Sequence, residues 1–166
     1  GGPAVNDVKY KKLVDLIQKS RNKDNFKLLG WQKDLKTIYD LWRKSDVGIC
    51  TDVYCYETEI GSRTRVFDKL SFGLPVIISR GSEIANIVEK YKVGIVYESG
   101  NVDDLARKIL EVSMKPEILN ECRKNIPNFI KDFNYENTCK SFIEWITNPK
   151  YAPDKNKRTN LLYDYG

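Results

Sequence analysis

The sequence predicts an α/β fold: a Rossmann-like, doubly wound parallel sheet flanked by helices, with extra helices at the carboxyl end. Three observations carry this. Short runs rich in Val and Ile alternate with segments of helical period, and strands separated by helices build parallel sheets. The runs show little in–out alternation, as expected of strands covered on both faces. The last part of the chain keeps the helical period without another strand.

Tyr10, Leu13, Val14 and Ile17 recur at helical spacing and predict a helix over about 7–20. Phe26-Lys27-Leu28-Leu29 reads as a short strand stopped by Gly30. Leu35, Ile38, Tyr39 and Trp42 mark a second helix of about 33–44, with Asp34 near its start. Val47 to Cys50 is a buried strand, followed by a polar loop over about 51–63. A third helix runs from about Thr64 to Phe72 and stops at Gly73. Pro75 to Ser79 is the next strand, and Ser82 can cap a helix carrying Ile84, Ile87 and Val88. Gly94 to Tyr97 is a fourth strand. Asn101 or Asp103 opens a helix with Val102, Leu105, Ala106 and Ile109, and two more helices follow over about 116–131 and 135–147. Pro127 is expected to kink or shorten the first of them. Residues 1–147 read as one domain and 148–166 as a polar tail. Four strands are few for an open sheet, and Gly1-Gly2-Pro3 looks like the loop that follows a strand. Part of the sheet is therefore expected upstream, unless Gly1-Gly2 is a cloning remnant.

Composition narrows the function classes. The chain has 166 residues, 41% hydrophobic and 31% charged, which suits one soluble globular domain and no membrane span. A net charge of +5 from scattered basic residues tolerates anions without marking a nucleic-acid binder. Cys50, Cys55, Cys122 and Cys139 lack metal-site spacing and read as reduced core cysteines of an intracellular protein. The chain contains no histidine. Ser-His and Cys-His nucleophiles are thereby excluded, along with the commonest general base.

In a parallel sheet, ligands bind beyond the carboxyl ends of the strands. The stretch from Gly61 to Ile77 is the most informative by that rule. A helix start offers free N–H groups and a favourable dipole to an anion. Gly61 and Ser62 precede that start and allow close backbone approach. Arg65 can clamp phosphate oxygens, and Asp68, one turn on, can accept hydrogen bonds from vicinal hydroxyls. Alternatively, Arg65 and Asp68 form a surface i, i+3 ion pair worth ~0.2–0.5 kcal/mol.

The order Leu29-Gly30, Lys44-Ser45-Asp46-Val47, Val66-Phe67-Asp68-Lys69-Leu70, Gly73-Leu74-Pro75-Val76-Ile77, Ser82-Glu83-Ile84, Val93-Gly94-Ile95-Val96 and Asp103-Asp104-Leu105-Ala106 resembles the carboxyl-terminal, donor-binding domain of retaining GT-B glycosyltransferases of the group 1, or family 4, type. Gly1-Gly2-Pro3 resembles the G-x-G-P loop of that family. The resemblance implies that residues 1–147 bind a nucleotide diphosphate-sugar as donor, with no cofactor and no obligatory metal. It also implies a hexosyl-type transfer with retention to an acceptor glycan, lipid-linked sugar or protein, and no nucleic-acid partner. An amino-terminal acceptor domain would supply the acceptor site and any catalytic histidine, leaving this fragment inactive alone. The parent enzyme would be cytoplasmic or peripheral at the cytoplasmic membrane face.

Residue by residue, the resemblance puts Asp68 on the ribose, and Arg65 with Thr64, Arg63, Gly61 and Ser62 on the diphosphate. Gly30 and Trp31 fall where the family cradles the base, and Trp31 can stack on a base or simply pack. Glu83 either contacts the donor or stabilises its helix start. The family's first acidic position falls on Ile60, so its paired-carboxylate motif is broken. Glu57 and Glu59 lie beside it, and Glu59 is the one catalytic candidate. Tyr54 and Tyr56 could border an acceptor groove. A GT-B-like nucleotide-sugar epimerase and a non-catalytic nucleotide-binding scaffold are the rival readings.

Overall fold

The computed structural model describes residues 8–30, 32–61 and 63–151. Gly1-Gly2-Pro3, Trp31, Ser62 and most of the predicted tail lie outside the described residues. The elements alternate as the hydrophobic periods require. Helix α1 (Val8–Lys19) is followed by a 3-10 turn at Lys23–Asn25 and by α2 (Leu35–Arg43). Then come β1 (Gly48–Cys50), α3 (Tyr56–Ile60), α4 (Thr64–Ser71), β2 (Val76–Ser79), α5 (Glu83–Tyr91) and β3 (Gly94–Tyr97). Four helices close the described chain: α6 (Val102–Met114), α7 (Pro116–Asp132), α8 (Tyr135–Thr138) and α9 (Lys140–Thr147).

The three strands form one parallel sheet in the order β1-β2-β3. Gly48 pairs with Val76, and Val76 pairs with Gly94. Because β2 is central, its side chains feed both faces. Val76 and Ile78 join a cluster with Val66 and Leu70 of α4, Ile84 and Val88 of α5, and Ile126 and Phe129 of α7. Ile77 points the other way and packs with Tyr97, Val112 and Leu119. Helix α7 contributes to both clusters. Each fully buried aliphatic side chain contributes about 1.5–3 kcal/mol, so β2 and α4 are anchored firmly and fix the start of α4 relative to the sheet.

Caps follow local chemistry. Asp34 accepts from the Lys36 and Thr37 amides, Ser82 from Ala85, and Asn101 from Asp104. Gly94 is demanded by packing: a Cβ there would overlap the Val76 carbonyl oxygen and approach Val76 Cγ2 and Val88 Cγ1 to 2.9 Å.

Several expectations are corrected. Residues 26–29 form no strand. They are extended at Phe26 but lie outside the sheet, and Phe26, Leu28 and Leu29 remain 53%, 42% and 41% exposed. A strand needs a ladder partner, and no described strand lies alongside this one. Ile49 is not buried, because β1 is an edge strand among those described. The loop over 51–63 contains α3. Pro127 does not end α7, which runs unbroken to Asp132 with Ile126 and Phe129 buried on either side of the proline. The predicted last helix is divided into α8 and α9, where the Asn134 side chain caps the first piece. All four cysteines are free, but Cys55 is exposed rather than in the core. Among the described residues no helix is long and apolar enough to cross a membrane.

Candidate functional site

A cleft of about 390 Å³ opens where the carboxyl end of β1 meets the amino end of α4. Its walls include Cys50, Asp52, Arg63, Thr64, Arg65 and Lys69. Helix α4 sits there because Val66 and Leu70 are 1% and 0% exposed on its inner face, which leaves Thr64, Arg65 and Asp68 outward. Arg63 occupies the N-cap position without a side-chain hydrogen bond to the helix, and the Val66 amide donates to the Arg63 carbonyl at 2.9 Å. Among the described residues the Thr64 and Arg65 amides have no acceptor. They are two of the free donors that every helix start leaves.

The cations of the cleft differ in their state. Arg63 Nε donates to Asp52 Oδ2 at 3.1 Å, and its Nη1 lies 3.6 Å from Glu57 Oε1. Its charge is therefore already countered. Arg65 is exposed and has no acidic partner among the described residues, Asp68 included. The expected i, i+3 ion pair is not formed. Lys69 lays its stem against Gly48, donates to the Arg65 carbonyl at 3.3 Å, and holds its Nζ 5.5 Å from the centre of the Trp42 ring. Burial raises the Cys50 thiol above the ordinary range, against the opposing pull of Lys69, so the thiol stays neutral.

Asp52 ties the strand ends together. Its amide donates to Ser79 Oγ at 3.1 Å, and its carbonyl accepts from Ser99 Oγ at 3.0 Å. Ser79 ends β2, and Ser99 follows β3. The loop after β1 is thus clamped to both neighbouring strand ends. Sequence reading missed Asp52. Its place two residues beyond an apolar run, at a strand's carboxyl end, was the available signal.

The predicted residues separate into groups. Arg63, Thr64 and Arg65 line the cleft together. Gly61 adjoins it, but its amide donates to the Glu57 carbonyl at 2.8 Å and closes α3 instead of facing a ligand. Asp68 lies on α4 one turn beyond Thr64, exposed, not among the residues that line the cleft, and without a hydrogen bond or ion pair among the described residues. Glu59 accepts from the Tyr54 hydroxyl at 2.9 Å, a bond that raises the Tyr54 phenol above its ordinary range. The Tyr54 ring lies over Gly81, whose φ of +112° and lack of Cβ permit the contact. Tyr56 is exposed. Glu83 stands at the first turn of α5, favourable to that helix dipole and outside this cleft. Gly30 adopts a positive φ of +62° in an irregular segment and ends no strand. Trp31 and Ser62 fall outside the described residues.

A second cleft of about 620 Å³ runs along β3 beside α6 and α7. Glu89, Glu117 and Glu121 face Lys92 and Lys108 around it. That balance opposes a polyanion. Among the described residues no group of three or more acidic or thiol side chains converges as a metal site.

A parallel sheet, a ligand-sized cleft at its carboxyl edge, and a helix start and an arginine that are without partners among the described residues define an α/β domain suited to an anionic ligand. The family comparison matches residues 2–129 to the glycosyl transferases group 1 model, which is most of the chain, so this chain belongs to that family. Comparison with curated protein sequences finds no match.

Proposed function

We propose that this chain is the donor-binding part of a retaining GT-B glycosyltransferase, and that a nucleotide diphosphate-sugar binds in the β1–α4 cleft. One observation carries the assignment: the amino end of α4, whose Thr64 and Arg65 amides meet no acceptor among the described residues, and Arg65, which has no acidic partner among them, face the same cleft beyond β1. A diphosphate there would meet the Thr64 and Arg65 amides, the helix dipole and a guanidinium. The same groups would neutralise charge growing on the departing nucleoside diphosphate as the sugar leaves. Asp68, one turn further on the outer face, would accept from the ribose hydroxyls and so fix the anomeric carbon. Transfer would proceed with retention and without an obligatory metal. The acceptor, a glycan, lipid-linked sugar or protein, would approach from outside this cleft, with a second domain supplying the acceptor site.

Isothermal titration calorimetry with uridine, guanosine, adenosine and thymidine diphosphates tests the assignment. Binding of at least one of them, weakening as salt rises, is expected. Absence of binding by all four contradicts it.

A further inference from the structure

We propose that Asp52 is the carboxylate that recognises the uncharged, hydroxyl-bearing part of the ligand in the β1–α4 cleft; this rests on the donor-site reading above. Asp52 is the one carboxylate among the described residues that line this cleft. Its side chain keeps 33% of its surface open to solvent. Oδ2 accepts from Arg63, while no described residue donates to Oδ1. The backbone on both sides of that carboxylate is fixed by Ser79 and Ser99. Oδ1 is therefore a pre-positioned acceptor, and little ordering is left to be done on binding.

The charge layout says what that acceptor takes. Asp52 and Arg63 neutralise each other, so the anionic end of a ligand belongs toward Arg65 and the start of α4. The end beside Asp52 must be neutral and able to donate. Sugar hydroxyls meet both conditions, and hydrogen bonds to a charged acceptor are stronger than neutral ones. The neighbouring carboxylates do not compete for this place. Glu59 is held by Tyr54, Glu57 is 82% exposed behind Arg63, and Ile60 carries an apolar side chain that is 66% exposed.

Asp52→Asn separates the roles. The amide oxygen can still accept from Arg63 Nε, while a donor replaces the outward acceptor. Calorimetry on the full chain would compare the nucleoside diphosphate that binds, whether of uridine, guanosine, adenosine or thymidine, with its glucose and mannose conjugates, for wild type and variant. For the pair that binds, the sugar nucleotide should lose about tenfold in affinity. The parent diphosphate should stay within about threefold, or tighten slightly as a negative charge is removed. Asp52→Glu, which keeps the charge and moves the oxygens by one methylene, should also lose the sugar's contribution. Equal loss for both ligands, or no loss for either, overturns the assignment of Asp52 while the donor site stands. A wild-type chain that binds none of the four nucleoside diphosphates overturns the donor site and Asp52 with it.

Discussion

Arg63 Nε donates to Asp52 Oδ2 across 3.1 Å, joining the loop after β1 to the N-cap position of α4. The pair is half-shielded, at 24% and 33% side-chain exposure. It does two things at once. It fixes the cleft wall, and it withdraws one of the two arginines from the pool of uncompensated charge, leaving Arg65 as the exposed guanidinium.

The two arginines should therefore separate in mutants. Arg65→Ala should weaken nucleoside diphosphate binding at least tenfold, given the usual strength of charge-assisted hydrogen bonds. Its fold stability should change by less than about 0.5 kcal/mol, as for surface sites generally. Arg63→Ala should behave in the opposite way, costing about 1–2 kcal/mol of stability because it strands Asp52. Urea denaturation and calorimetry on both variants check this. Equal effects of the two on binding would contradict the division.

Asp68→Ala should lower nucleoside diphosphate affinity while leaving pyrophosphate affinity unchanged, because pyrophosphate has no ribose. Its side chain makes no hydrogen bond or ion pair with any described residue, so thermal stability should hold. Competition of pyrophosphate against a bound nucleotide gives both numbers. If Asp68→Ala leaves nucleotide affinity intact in a folded protein, the ribose role is wrong.

Gly94→Ala should destabilise the fold by about 1–3 kcal/mol or more, through overpacking. The new methyl would meet the backbone of β2, which cannot move without breaking the ladder, as well as Val76 and Val88. A shift in the urea midpoint with an unchanged slope is the expected signature.

The cysteines should differ in reactivity. The Thr58 backbone N–H and hydroxyl lower the Cys55 thiol, whereas burial raises Cys50 and Cys122. A lowered pKa gives more thiolate at a fixed pH, and a raised one gives less. In the range from about pH 7 to 9, around the free-thiol value, iodoacetamide should label Cys55 first. Peptide mass spectrometry at increasing times reads the order. Faster labelling of Cys50 would contradict the described environment.

What the sequence made legible was local. The caps at Asp34, Ser82 and Asn101 are read from a side chain and amides two or three residues away. The start of α4 and the outward placement of Arg65 follow from the burial of Val66 and Leu70, visible as helical spacing. What stayed hidden depends on distant partners. Asp52 gains its meaning from Arg63, Ser79 and Ser99, which lie 11, 27 and 47 residues away. Phe26 to Leu29 have the composition of a strand, but pairing is decided by what lies beside them. Helix α3 has five residues, too few for a periodic signal. At Pro127 the loss of one amide was outweighed by the burial of Ile126 and Phe129. The i, i+3 spacing of Arg65 and Asp68 permitted an ion pair that the structure does not form.

The most direct measurement is an amide-resolved NMR titration of the ¹⁵N-labelled chain with the nucleoside diphosphate that binds. The largest shifts should fall on the Thr64 and Arg65 amides, with smaller ones at Thr51 and Asp52. Shifts concentrated on Gly94 to Val96 and Ile118 to Cys122, with α4 silent, would place the ligand in the β3 cleft and contradict the assignment to the β1–α4 cleft.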